Sequence, residues 1–174
     1  STCFDLDPVR FPMLTKLATN LSAQAANGAL ENVIGRQTEI TQIIDILSKR
    51  KSNNPLLIGE AGVGKTALVE GMVSHLVATH TPSTGEPPKI VLQLDVGSIM
   101  AGTHLRGALS ERIRKLQAEV READGQICIF IDELHSLFGN QSDGGADAAN
   151  ELKVSLARGD FPCIGATTHD EFKK

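Results

Sequence analysis

The amino-acid sequence predicts a three-layer α/β domain built on a parallel sheet. Short apolar runs alternate with segments of helical periodicity from residue 56 to residue 166, the order of a strand–helix–strand chain that covers a sheet on both faces. One of those runs, Ile127-Cys128-Ile129-Phe130-Ile131, has no polar alternation at all, as a strand buried on both faces requires. A glycine-rich turn, Gly59 to Gly64, joins the first run to the first long helix.

Along the chain, Pro8 and Pro12 precede Leu14, Leu17 and Leu21, whose spacing predicts a lead-in helix within residues 1–30. Residues 31–174 are then read as the domain proper. From Thr38 to Arg50, Ile40, Ile43, Ile44 and Leu47 place one apolar stripe on a helix, which Asn53, Asn54 and Pro55 end. Leu56 to Ile58 reads as a strand, Lys65 to about His80 as a helix and Ile90 to Leu94 as a strand. Leu105 to Ala123 reads as a helix with Leu109, Ile113, Leu116 and Val120 on one face, and Ile127 to Ile131 as a strand. A helix from Asp147 to Ala157, stopped at Gly159, leads to a last strand from Cys163 to Ala166. Thr81 to Pro88, with three prolines and a glycine, is a surface connection.

Composition narrows the function classes. The 174 residues suffice for one domain with a buried core, and 41% apolar with 22% charged residues is a globular balance. A net charge of −4 with no Trp or Tyr gives neither the basic footprint nor the stacking residues of a nucleic-acid binder. No apolar run reaches the roughly 18 residues of a membrane span, and Cys3, Cys128 and Cys163 lack the spacing of a metal or redox pair. The expectation is a cytoplasmic protein with reduced thiols that engages neither membrane nor nucleic acid. His75, His80, His104, His135 and His169 are read as surface or packing residues.

The chemistry concentrates in three places. Gly59-Glu60-Ala61-Gly62-Val63-Gly64-Lys65-Thr66, followed by Ala67, matches the phosphate-binding loop GxxxxGK[ST] between a strand and a helix. Successive N–H groups and the positive end of the helix face the phosphates, Lys65 reaches the β- and γ-phosphates, and the Thr66 hydroxyl is placed for Mg²⁺. Asp132 and Glu133 follow the buried strand; at the carboxyl end of a parallel sheet they lie by the ligand crevice, Asp132 for the metal and Glu133 as general base toward water. Gly165-Ala166-Thr167-Thr168 ends a strand in two hydroxyls.

Asn32-Val33-Ile34-Gly35-Arg36, Asn53 to Glu60, Phe130 to His135, Leu156 to Gly159 and Ile164 to Thr168 together resemble the first ATPase module of the ClpA, ClpB and ClpV family of AAA+ proteins, from about Leu14 to the end of the chain. The resemblance implies a P-loop NTPase fold, its AAA+ large subdomain, binding ATP and Mg²⁺ in a homo-hexamer that unfolds or disaggregates protein substrates. It implies that Val33 and Ile34 pack on the adenine ring, against the alternative of a core pair. It implies a polar sensor on the last strand, at Thr168 or else Thr167, lying between the strands that end in Gly59 and Ile131. It also places His104, Leu105 and Arg106 in the substrate-gripping pore loop, with Leu105 where the family carries an aromatic residue; a motor so equipped is selective or served by an adaptor. The alternative for Leu105 is an ordinary exposed leucine. By the same comparison the chain ends before the family's arginine finger, fifth strand and helical lid, so by itself it is expected to be a weak ATPase. Two other readings stay open: a nucleotide-dependent interaction module with little turnover, and a DNA-remodelling AAA+ ATPase, which the missing basic stripe disfavours.

Overall fold

The computed structural model describes residues 3–30, 38, 41–42, 56–59, 63–94, 107–123, 126–131 and 163–168. Five strands form one sheet: β1 (Ala18–Asn20), β2 (Leu56–Gly59), β3 (Ile90–Leu94), β4 (Ile127–Ile131) and β5 (Cys163–Thr168), in the order β1-β3-β4-β5-β2. The β3–β4, β4–β5 and β5–β2 pairs are parallel. The β1–β3 pair is antiparallel, so the sheet is parallel except at one edge. Among the described residues the helices that accompany it with given bounds are α1 (Pro12–Leu17), α2 (Leu21–Ala26), α3 (Val63–Thr79) and α4 (Ala108–Glu122).

The layers follow from the pleat. Ile127, Ile129 and Ile131 of β4, with Ile90, Leu92 and Leu94 of β3, share one core with Ile113, Leu116 and Val120 of α4 and Leu14 of α1. Their neighbours Val91, Cys128 and Phe130 turn to the other core, with Leu21 of α2 and Leu68, Val69, Met72 and Val73 of α3. Both faces are therefore covered, which is why neither strand alternates with polar residues. At about 25 cal/mol per Å² of apolar surface removed from water, this two-sided burial is the main force holding the sheet. The opposite, charged side of α4 stays wet: Glu111, Arg114 and Lys115 are exposed, and Glu111 pairs with Lys115 at 3.4 Å one turn on.

Three expectations need correction. The lead-in leucines do not all share one helix: Leu14 and Leu17 lie in α1 and Leu21 in α2, with extended backbone between them. Asn20 decides the break, because its side-chain oxygen accepts the Ala23 N–H at 2.9 Å and starts a new helix. The last strand runs on to Thr168, so both threonines lie in it. The helix expected from Leu105 begins at Ala108, because Gly107 stands at φ 83, a left-handed conformation that only glycine adopts freely.

Between Thr81 and Pro88 the chain is a surface connection with one short 3₁₀ turn, Pro82–Thr84. Of the expected Thr38 to Arg50 helix only Thr38, Thr41 and Gln42 are described, all helical. The expected helix from Asp147 to Ala157 lies outside the described residues. Cys3 and Cys128 are free thiols, the first exposed and the second buried. His75 is exposed, and His80 meets Phe4 edge-on at 5.6 Å.

Candidate active site

Strand β2 ends at Gly59 and α3 begins at Val63, so only residues 60–62 connect a parallel strand to the helix that follows it. Val63, Gly64, Lys65 and Thr66 form the first turn of α3. The N–H groups of a helix's first turn have no partner within the helix, and its dipole adds about half a positive charge at that end. No acidic residue sits in that turn to neutralise it. The geometry is that of an anion site, with backbone donors supplied by a helix of 17 residues.

Packing fixes where that helix end lies. Val69, Met72 and Val73 are fully buried, and with Leu68 they seat α3 on Val91, Cys128 and Phe130. Leu68 and Val69 are within about one turn of Lys65, so the seating holds the N-terminal end of α3 as well as its middle. Ala67 is half-buried at the same level.

Register brings the other strand ends to the same edge. Gly59 pairs with Thr168 and Ile58 with Thr167 across β2–β5, while Ile131 pairs with Gly165 across β4–β5. β5 therefore separates β2 from β4, the position expected for a sensor strand. At about 4.8 Å between neighbouring strands, β2 and β4 run about 10 Å apart across β5, and their ends are offset along it, Gly59 level with Thr168 and Ile131 level with Gly165. Asp132 and Glu133 follow Ile131, the last residue of β4, directly in sequence. A threonine hydroxyl at position 66 and a carboxylate at position 132 are hard oxygen donors, the type that suits magnesium.

Of the expected site residues, Gly59, Val63, Gly64, Lys65, Thr66, Ala67 and Thr168 are placed in the sheet edge or the start of α3. Val33, Ile34, Glu60, Ala61, Gly62, Asp132, Glu133, His104, Leu105 and Arg106 lie outside the described residues. Two supporting residues had no sequence reading. Glu119 of α4 accepts the Met13 N–H (3.1 Å to either oxygen) and the Leu14 N–H (3.0 Å), capping α1 from the far side of the sequence. Ser22 accepts the Val91 N–H at 2.8 Å. Phe11 at the N-cap of α1, which gives no side-chain cap, was the available signal that a remote group must serve.

Comparison with known proteins agrees with this architecture. The family of ATPases associated with various cellular activities (AAA) matches residues 55–173. The ATP-binding subunit ClpC of the ATP-dependent Clp protease of Staphylococcus aureus is 49% identical over 164 residues, covering 94% of this chain and 20% of that protein. ClpC of Staphylococcus saprophyticus is likewise 49% identical over 164 residues, with the same coverage. Among solved structures, the Saccharomyces cerevisiae Hsp104:casein complex in its extended conformation superposes with a TM-score of 0.78 at 40% identity, over 92% of this chain and 27% of that one. The S. cerevisiae Hsp104–ADP complex gives a TM-score of 0.76 at 39% identity over the same shares of the two chains. The chain thus spans 20% of the length of these curated relatives. With the family model matched over residues 55–173 and β2 leading within three residues to α3, the chain belongs to the AAA family of ATPases.

Proposed function

We propose that the chain is the ATP-binding and hydrolysing large subdomain of the first ATPase module of a Clp-type protein unfoldase or disaggregase. The observation that carries the reading is the junction of β2 and α3, where GxxxxGK[ST] ends a parallel strand and opens a long, well-seated helix. The relatives support the rest: ClpC is named as an ATP-binding subunit of a protease, and Hsp104 is seen with casein and with ADP. On this reading the intact protein is a cytoplasmic homo-hexamer acting on protein substrates, with an adaptor possible, and neither nucleic acid nor membrane is its partner.

In the site, N–H groups of the loop from Gly59 to Thr66 and the Lys65 ammonium hold the β- and γ-phosphates, while Val33 and Ile34 pack against the adenine. The Thr66 hydroxyl and Asp132 would hold magnesium, which when bound offsets the phosphate charge. Glu133 accepts a proton from the water that attacks the γ-phosphorus, and ADP leaves with the electron pair of the broken P–O bond. Thr168 donates to a phosphate oxygen. His104, Leu105 and Arg106 belong to the loop that meets the substrate.

Calorimetry tests the core of this. Lys65→Ala should lose most ATP affinity, whereas Glu133→Gln should retain ATP and lose turnover in the full-length protein. Equal ATP affinity for Lys65→Ala and the parent would overturn the phosphate-loop assignment; undiminished hydrolysis in Glu133→Gln would remove that residue as the base.

A further inference from the structure

We propose that residues 3–26 are a two-faced strap that positions the phosphate-loop helix, with Glu119 as its latch, so that strap docking and nucleotide binding reinforce each other. The proposal rests on the nucleotide reading above, and its ground is the path of the chain around the sheet edge. Phe4, Phe11 and Leu14 are buried on the α4 face, among Ile113, Leu116 and Val120. The chain then crosses the edge of the sheet as β1, pairing Ala18 with Leu94 and Asn20 with Leu92. It emerges on the opposite face, where Leu21 is buried among Leu68, Val69, Met72 and Val73 of α3. One short segment thus touches both helical layers and the strand between them.

Polar groups fix each leg of the path. Glu119 receives the first N–H groups of α1, as above. Asn20 donates its amide to the Phe4 carbonyl at 2.7 Å while its oxygen caps α2. Ile90 donates to the Gln126 carbonyl on the β4 side, so the N–H of Val91 faces the strap, where β1 has already ended and Ser22 accepts it instead. These bonds give the strap a defined docked state. The Arg10–Glu122 pair, at 3.8 Å and half-exposed on both sides, adds little.

Leu21 shares one buried core with Leu68, Val69, Met72 and Val73 of α3, so undocking the strap removes a wall from the helix whose N–H groups bind the anion. Linkage makes the effect mutual: whatever factor the docked strap adds to nucleotide affinity, bound nucleotide adds to strap docking.

The probe is ADP, measured by calorimetry together with amide hydrogen exchange on the parent chain, Glu119→Ala and Glu119→Gln. In the parent, saturating ADP should slow exchange at Met13, Leu14 and Ala23. Glu119→Ala should speed those amides at least tenfold and weaken ADP about fivefold, the low end for coupled sites, with Val73 and Phe130 unchanged. Glu119→Gln should restore most of both, since Met13 and Leu14 both reach Oε1, which a glutamine carbonyl replaces. Faster strap exchange with unaltered ADP affinity would overturn the coupling, as would strap exchange in the parent that ignores ADP. Equal acceleration of Val73 and Phe130 in Glu119→Ala would overturn the latch. A parent chain that binds no ADP would overturn the nucleotide reading itself, and the coupling with it.

Discussion

Thr168 stands opposite Gly59 across the parallel β2–β5 pair, so the last residue of β5 is level with the first glycine of the GxxxxGK[ST] sequence. Thr167 is level with Ile58, one residue deeper in the sheet. The expected outcome is that Thr168→Ala, in the full-length protein, lowers the hydrolysis rate on the order of 10²-fold while ATP affinity stays within about threefold, the pattern for loss of one donor to a transition-state oxygen. Thr167→Ala should have the smaller effect. Steady-state phosphate release beside equilibrium ATP binding measures both, and a larger loss in Thr167→Ala would reverse the assignment.

The parts of this fold that were legible in the sequence are those decided locally. Ile127 to Ile131 announces a strand covered on both faces because no residue in it is polar, and it occupies those limits. The stripe through Ile113, Leu116 and Val120 announces one buried face of a helix, and all three are buried. The phosphate loop is contiguous, so its eight residues carry their own context. Strand β1 was not legible. Ala18 and Asn20 are poor strand formers, and with Thr19 they sit inside a leucine spacing that suits a helix. What makes them a strand is the unpaired edge of β3, more than 70 residues away in sequence. The latch is hidden for the same reason, because Glu119 and Leu14 are 105 residues apart.

Ser22 tests how far that edge depends on one hydroxyl. It is fully buried, and its oxygen is the acceptor for Val91 N–H. Ser22→Ala leaves that donor unpaired in the core, at a cost of about 1–3 kcal/mol, or several degrees in Tm for a chain of this size. Urea denaturation reads the loss directly. An unchanged midpoint would mean that Val91 finds another acceptor.

In the proposed function Leu105 has a role toward substrate rather than nucleotide. It precedes Gly107, which ends the connection after β3 and opens α4. If it belongs to the proposed pore loop, Leu105 offers aliphatic contact without an aromatic face. In the full-length protein Leu105→Ala should impair unfolding of a fluorescent protein substrate while basal ATP hydrolysis stays within about threefold, under about 1 kcal/mol of barrier. Unchanged unfolding would make it an ordinary surface leucine; loss of both activities would point to a damaged fold.

Cys128 gives the sheet interior a pH signature. Burial in β4 pushes its thiol from the ordinary cysteine value of 9.0 up to about 12, with Lys89 opposing the shift. The neutral thiol is the form that the folded chain accommodates. Below pH 9 the thiol is neutral whether the chain is folded or unfolded, and the group contributes no pH dependence. Between about pH 9 and pH 12 the unfolded chain releases the proton and the folded chain keeps it, so stability falls as pH rises, on the order of 1 kcal/mol per pH unit. Cys128→Ala should flatten that part of the profile and also carry a small, pH-independent loss of packing. Urea midpoints at pH 8 and pH 10 for parent and variant separate the two effects. Reactivity gives a second reading, since the nucleophile is the thiolate. Iodoacetamide at pH 8 should label exposed Cys3 in the native chain and leave buried Cys128 unmodified until the chain is denatured. Native labelling of Cys128 at a rate near that of Cys3 would mean that the β3–β4 layer opens without global unfolding.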